Sequence, residues 1–483
     1  MNFASIEYFV FLLIVWVAYR LLKLRGQNIL LLIASYYFYG MWDWRFLSLI
    51  VISTFIDFWV GRSLVRVEDP KRRKHLLAVS VIANMSMLGF FKYFGFFVDS
   101  AVALLDGMGL EAHRPALQIV LPVGISFYTF QTLSYTIDIY RRKLQPTDKL
   151  IDFALFVAFF PQLVAGPIER ASHLLPILSK QRVITFEGCS RGAFLILLGL
   201  MKKIVIADGL SAKVDAIYGT GSDVSGLDVT LATYAFAFQI LCDFSAYTDI
   251  ARGTAKLFGI DLMDNFCGPY FARNPSDFWR RWHISLSTWL RDYLYVPLGG
   301  NRGSTVSLYR NLMITMVLGG LWHGAAWNFV LWGIYQGALL CMFRVFTKPK
   351  QEPSDESASL FGRGRSMLFY LVGTALFFQL TCYGWLLFRA DSFTQIVDFT
   401  SLLFTPSGWG AGWADVSFPR PPLATLLGLC FLIPWEAMTY ANSRDTFYRS
   451  WHPFVRGLLV GVLIILLLMG LNNDASTFIY FQF

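Results

Sequence analysis

The sequence predicts an all-α polytopic membrane protein of about twelve transmembrane helices, with re-entrant and amphipathic helices beside them. Three observations carry that prediction. Of the 483 residues, 55% are hydrophobic and only 15% are charged, against about 25% charged in a soluble domain, so the chain lacks the polar side chains to cover its own surface in water. Aromatic residues reach 17%, with 45 Phe, 22 Tyr and 15 Trp, the excess that lipid contact and interfacial anchoring require. Apolar runs recur along the whole length, giving a mean hydropathy of +0.51. A soluble multidomain enzyme is excluded as the default.

The first run, 5–22, has no basic residue before it and no small-residue cleavage site, so it reads as a retained helix rather than a signal peptide. Further runs lie near 28–41, 45–61, 76–98, 117–139, 191–207, 229–250, 309–322, 325–343, 367–388, 423–440 and 457–472, most of them close to the roughly 20 apolar residues a bilayer demands. The run 151–165 contains Pro161 and closes on Gly166 and Pro167, which suits a re-entrant or broken helix at least as well as a full span. Residues 351–366 form a polar linker, and 405–422 an external loop rich in glycine and proline.

Loop charge orients the chain. Arg62, Arg66, Lys71, Arg72, Arg73 and Lys74 crowd one loop, whereas 99–116 has Arg114 alone against Asp99, Asp106 and Glu111. The first loop is therefore cytoplasmic and the second external. Arg141, Arg142, Lys143 and Lys149 fall inside, Asp215, Asp223 and Asp228 outside, and Arg344, Lys348 and Lys350 inside, which leaves both termini external. This topology also explains the net charge of +9, so nucleic acid is not expected as a partner. The cysteines, Cys189, Cys242, Cys267, Cys341, Cys382 and Cys430, show no CxxC pair and no spacing that would hold a metal.

The segment 256–308 is too polar to span and too aromatic for a loose loop. Within DFWRRWHISLSTWLRDYLYVPLGG, the positions Trp279, Trp282, His283, Leu286 and Leu290 share one helical face, while Arg280, Arg281, Ser287 and Arg291 fall largely elsewhere. The spacing predicts one amphipathic helix at the cytoplasmic surface, with Asp277 in its first turn after Asn274 and Pro275.

Six histidines are present. His75, His113, His173 and His452 lie among polar or charged residues and read as solvated. His323 stands in a run without another ionisable group, MITMVLGGLWHGAAWNFVLWGIYQGALL, and an ionisable group at membrane depth marks a functional site by default. The glycines around it, Gly319, Gly320, Gly324 and Gly333, suit either a narrow tunnel or plain helix packing. His283, on the inward face, is placed to meet His323, and a buried neutral imidazole is poised as a general base. Of the sparse intramembrane acids, Asp57, Asp138, Asp243 and Asp249, Asp243 with Ser245 and Tyr247 lines either a polar cavity or a structural network. No GxSxG, HExxH, P-loop or GxGxxG is present, which argues against those hydrolase, zincin and nucleotide chemistries.

The segments LPVGISFYTFQTLSYTIDIYRR (121–142), FFPQLVAGPIER (159–170), DFWRRWHISLSTWLRDYLYVPLGGNR (277–302), GGLWHGAAWNFVLWGIYQG (319–337) and FIYFQF (478–483) resemble the membrane-bound O-acyltransferase family, most of all its bacterial alginate O-acetyltransferase branch. The resemblance covers nearly the whole chain. It implies a single integral membrane domain, 1–483, around a central tunnel, with 256–308 as its catalytic segment on the cytoplasmic face. His323 matches the family's invariant histidine, and His283 its second signature position.

The resemblance further implies transfer from a cytoplasmic donor, acetyl-CoA, without a tightly bound cofactor, to an extracytoplasmic polysaccharide. An exported acetyltransferase partner and an inner-membrane location follow from the same likeness. Tunnel candidates are Trp322, Trp279, Trp282, Asn328, Asp243, Ser245 and Tyr247. Arg280, Arg281 and Arg291, with Lys256, are candidates for donor phosphates, although positive-inside topology accounts for them equally. Alternatives are peptidoglycan or cellulose acetylation, D-alanyl transfer to teichoic acid, and a transporter without acyl transfer. The absence of an internal repeat weakens the last.

Overall fold

The computed structural model describes residues 3–111, 113, 119–164, 166–219, 224–347, 364–409 and 416–479. The linker expected at 351–366 falls outside them up to residue 363, as do Arg114, Asp223, Lys348, Lys350 and the last four residues of FIYFQF. Among the described residues every regular element is helical. Seven helical stretches among the described residues are long and apolar enough to cross a membrane: Leu24–Arg66, Pro70–Gly107, Gly226–Leu257, Trp327–Phe346, Phe369–Arg389, Leu423–Asn442 and Pro453–Gly470. The first two each contain more than one helix, and Leu150–Leu163 and Phe393–Phe404 are shorter apolar helices. Leu13, Ile33, Leu376 and Leu468 are each 61% to 64% exposed, a liability in water and the normal outer surface of a protein in lipid. The chain is a multi-pass, all-α membrane protein.

The chain forms two compact units. The first comprises residues 1–196 and 248–263. Its helix Ile125–Tyr140 is buried on nearly every side, although it carries Ser126, Thr129, Gln131, Thr132, Ser134 and Thr136. Thr132 and Thr136 find partners on a neighbouring helix, Thr132 Oγ1 donating to Asn84 Oδ1 at 3.3 Å and Thr136 Oγ1 lying against Ser80, whereas Ser134 donates within its own helix. Asp57 of Leu47–Arg66 accepts from Ser80 Oγ at 2.5 Å and Asn84 Nδ2 at 2.8 Å, and Ser80 Oγ in turn lies 3.0 Å from Thr136 Oγ1. The expected re-entrant run appears as two pieces, Leu150–Ala158 and Phe160–Leu163, parted at Phe159, with Pro161 near the start of the second.

The second unit comprises residues 197–247 and 264–483. Its central pair is Thr305–His323, opened by Ser304, whose hydroxyl accepts from Ser307 N at 3.2 Å, and Trp327–Phe346. The two cross at glycines. A Cβ on Gly333 would meet the Met316 carbonyl at 2.6 Å, one on Gly337 the Met313 sulfur at 2.7 Å, and one on Gly320 would run into the Phe329 carbonyl. Gly320 and Gly333 thus serve backbone approach between helices.

The segment expected as one amphipathic helix is instead broken. Pro275–Trp279, capped by Asn274, and Ile284–Leu290 are separate helices, followed by a π-helical turn Arg291–Tyr295. The break lies at His283, whose φ of 43° is left-handed, a conformation rare outside glycine and asparagine. The cause is competition for backbone donors. Ile284 N donates to the Asn265 carbonyl at 3.0 Å and Ser285 N to Asn265 Oδ1 at 3.1 Å, so neither continues the preceding helix.

Candidate functional site

His323 is the last residue of Thr305–His323, which stops because Gly324 takes an extended backbone. A side chain on Gly324 would collide with the Phe329 ring, so the sharp exit between the two helices needs glycine there. The His323 side chain is buried and stands edge-on to Trp332 at 5.1 Å, Trp322 at 5.2 Å and Phe388 at 5.6 Å between ring centroids. His283, also buried, has its ring centroid 6.3 Å from that of His323, with Phe244 at 4.7 Å and Trp322 at 5.7 Å on other sides. The two imidazoles named from sequence therefore share one buried aromatic cluster.

Asn265 fixes the state of His283. Asn265 Oδ1 accepts from Ser285 N and from Ser285 Oγ at 2.9 Å, so this atom is the carbonyl oxygen and not the amide nitrogen. His283 Nδ1 lies 3.2 Å from the same oxygen and must be the protonated nitrogen, which leaves the lone pair on Nε2. Burial pushes the His283 pKa from 6.5 down to about 3, because a charged imidazole loses its hydration there. Near neutral pH the ring is uncharged.

Around the pair lies a shell of indoles. Trp282 is fully buried, 4.8 Å from Trp385 and 5.7 Å from Phe278, while Trp332 stacks 6.2 Å from Trp385 and stands 5.9 Å from Trp279. The Nε1–H groups of Trp282 and Trp332 have no acceptor among the described residues. Buried indole donors normally find one, and leaving them unpaired costs about 1–3 kcal/mol each.

The remaining candidates divide. Asn328 spends its amide on the carbonyls of Phe388 and Ala390, at 3.2 and 3.1 Å, where the helix Gly364–Arg389 ends. Asp243 is tied to Lys203 Nζ at 2.8 Å and accepts from Ile479 N at 2.6 Å. Lys203 also pairs with Asp208 at 2.8 Å, and Ser476 Oγ donates to Asp208 at 2.6 Å. The segment through Phe478 is thereby pinned. Its ring lies 4.1 Å from Tyr247 and 6.1 Å from Phe244, the residue against His283. The Ser245 hydroxyl is buried without a partner among the described residues.

Arg280 and Arg281 join Arg444, Asp264, Asp277 and Asp445 in lining a polar cavity of about 310 Å³ that also touches Phe266 and Ile284, the chain neighbours of Asn265 and His283. Arg281 is held by Asp277 at 2.8 Å and lies 3.8 Å above the Tyr440 ring. Arg291 pairs with Asp292 at 2.7 Å, and Lys256 with Asp261. Of the other histidines, His173 pairs with Glu169 at 2.7 Å, and His75, His113 and His452 are exposed.

Sequence reasoning missed Asn265, Ser285, Trp332, Trp385 and Phe388. Trp332 stood within a run already singled out, whereas Asn265 lies in an irregular stretch with no period to expose it.

Residues 142–382 match the membrane-bound O-acyltransferase family. The chain is 36% identical to the probable alginate O-acetylase AlgI of Pseudomonas putida over 99% of both chains, and 37% identical to that of Pseudomonas syringae pv. tomato over 92% of this chain and 82% of the relative. It is 35% identical to the peptidoglycan O-acetyltransferase of Helicobacter pylori over 70% of this chain and 69% of the relative. A buried pair of histidines in an all-α membrane protein, together with this likeness along the whole length, shows that the chain belongs to the membrane-bound O-acyltransferase family and is an O-acyltransferase.

Proposed function

We propose that the enzyme moves an acetyl group from cytoplasmic acetyl-CoA across the inner membrane for O-acetylation of a polysaccharide outside it, with alginate as the first candidate. The observation that carries this reading is the buried pair itself, with His323 and an uncharged His283 side by side and buried indole donors around them. The names of the relatives, alginate O-acetylase above all, supply the acetyl group and the polymer.

In this reading the oxygen of the accepting hydroxyl attacks the thioester carbonyl carbon while His323 takes its proton. The carbon–sulfur bond then breaks, and the proton passes from His323 to the coenzyme A sulfur, leaving an ester and a free thiol. A positioned base contributes about 10²- to 10⁴-fold. The N–H of Trp332 serves the carbonyl oxygen as it gains charge. His283, fixed in one tautomer, orients the donor side. The accepting hydroxyl belongs to the polymer or to an exported acetyltransferase that relays the group. Arg280 and Arg444 in the polar cavity attract the donor's phosphates.

His323→Ala is expected to abolish polymer acetylation while the protein still inserts in the membrane; retained acetylation overturns the role given to His323. Arg280→Gln with Arg444→Gln is expected to raise KM for acetyl-CoA with kcat little changed. Flux of polymer or precursor in proteoliposomes without acetyl-CoA consumption would instead favour a transporter.

A further inference from the structure

The first unit contains a second cavity, of about 440 Å³, that the transfer reading does not use. It is lined by Leu24, Arg25 and Asn28 at the start of the helix Leu24–Asp43 and by Lys149, Leu150 and Asp152 at the start of Leu150–Ala158. Two helix N-termini therefore converge on one space, and neither preceding residue, Lys23 or Lys149, caps its helix with a side chain. Uncapped first-turn N–H groups and the positive helix end favour an anionic group, and Arg25 and Lys149 add two cations.

A separate observation points to a hydrogen-bond donor in the same space. Asp152 is 6% exposed, and its Oδ1 accepts from Asn28 Nδ2 at 2.8 Å. Its Oδ2 has no hydrogen-bond partner among the described residues, with Lys149 Nζ 4.0 Å away. A buried carboxylate oxygen left in that state calls for an N–H donor. It also repels a purely anionic ligand. Arg182, 9% exposed, braces the wall by donating Nη2 to Asn28 Oδ1 at 2.5 Å.

An anion-seeking rim beside a single donor-seeking acid fits a zwitterion that joins a phosphate to a primary ammonium. The surroundings fit a lipid. Leu21, Leu22 and Ile29, close in sequence to the lining residues Leu24, Arg25 and Asn28, are exposed apolar residues, and Arg141, Arg142 and Lys143 lie in the loop before Lys149, at the end that the positive-inside rule places in the cytoplasm. We infer that this cavity binds the headgroup of phosphatidylethanolamine from the cytoplasmic leaflet, with the phosphate on Arg25, Lys149 and the two helix ends and the ammonium on Asp152.

The test is thermal unfolding of the purified full-length protein in detergent, titrated with phosphatidylethanolamine, phosphatidylcholine, phosphatidylglycerol or phosphoethanolamine. Phosphatidylethanolamine is expected to raise the melting temperature saturably. Phosphatidylcholine, whose trimethylammonium has no N–H, should be weaker. Arg25→Gln, at an exposed side chain, should weaken the apparent affinity for phosphatidylethanolamine about five- to tenfold. Asp152→Asn should erase the preference over phosphatidylcholine. Where Asp152→Asn does not fold, Arg25→Gln and Lys149→Gln decide. Equal stabilisation by all three lipids, an unaltered response in Arg25→Gln, or a matching effect of soluble phosphoethanolamine overturns the inference. None of these outcomes touches the acyl-transfer reading, which is tested at His323.

Discussion

Asn265 decides which nitrogen of His283 carries the lone pair, because its side-chain oxygen is already defined by two donors from Ser285. Asn265→Ala removes the acceptor and frees the ring to change tautomer and tilt. The expected result is a fall of about tenfold or more in kcat with little change in KM, measured as acetyl transfer by membranes of matched protein content. Trp332→Phe keeps an aromatic ring at the site but removes the donor and part of a fully buried indole, and is expected to cost about 10²-fold in kcat together with a lower melting temperature from the cavity it leaves. His283 also gives folding a pH dependence. Its pKa is 6.5 in the ordinary state and about 3 in the fold, so the unfolded chain binds the extra proton between those values. Its contribution to stability is therefore intact above about pH 6.5 and declines as pH falls toward 3; His283→Asn should flatten that part of the melting-temperature profile. His323 was legible because an imidazole in an uncharged run is conspicuous, and His283 because its spacing puts it on one apolar helical face with Trp279, Trp282 and Leu286. Asn265 was not, since it reaches the site through backbone pairing with residues 284 and 285 that no local pattern records.

Helices were the most readable elements, because length and apolarity alone place Trp327–Phe346 or Pro453–Gly470. The amphipathic segment was read as continuous for a physical reason: the i, i+3, i+4 spacing runs unbroken across 279–290, and only the pairing of Ile284 and Ser285 to Asn265 interrupts it. Fine packing was legible as composition but not as geometry. Of the glycines about His323, Gly320 and Gly333 are needed for helix crossing, which predicts a contrast. Gly333→Ala drives a methyl into the Met316 carbonyl at 2.6 Å and Val317 Cα at 2.9 Å, and should cost about 1–3 kcal/mol. Gly373→Ala meets nothing within 4 Å and should be neutral or stabilising by up to about 1 kcal/mol. Thermal unfolding in detergent distinguishes the two.

Across the molecule, the residues of FIYFQF were recognisable only by resemblance, since six apolar and polar letters state no role. Ile479 and Ser476 are anchored through Asp243, Asp208 and Lys203, three charged groups buried together. Lys203→Met leaves two buried carboxylates without their cation and should destabilise by about 3–5 kcal/mol; adding Asp243→Asn should recover part of the loss, read from the melting temperature. The same contacts set an order of events during synthesis. Phe478 supplies the neighbour for Tyr247 and Phe244, and a ribosome reaches it only after the seven membrane-crossing stretches of the described residues have been made. One wall of the cluster around the paired imidazoles is therefore made later than all seven of those stretches, and the cluster closes only once they are in place.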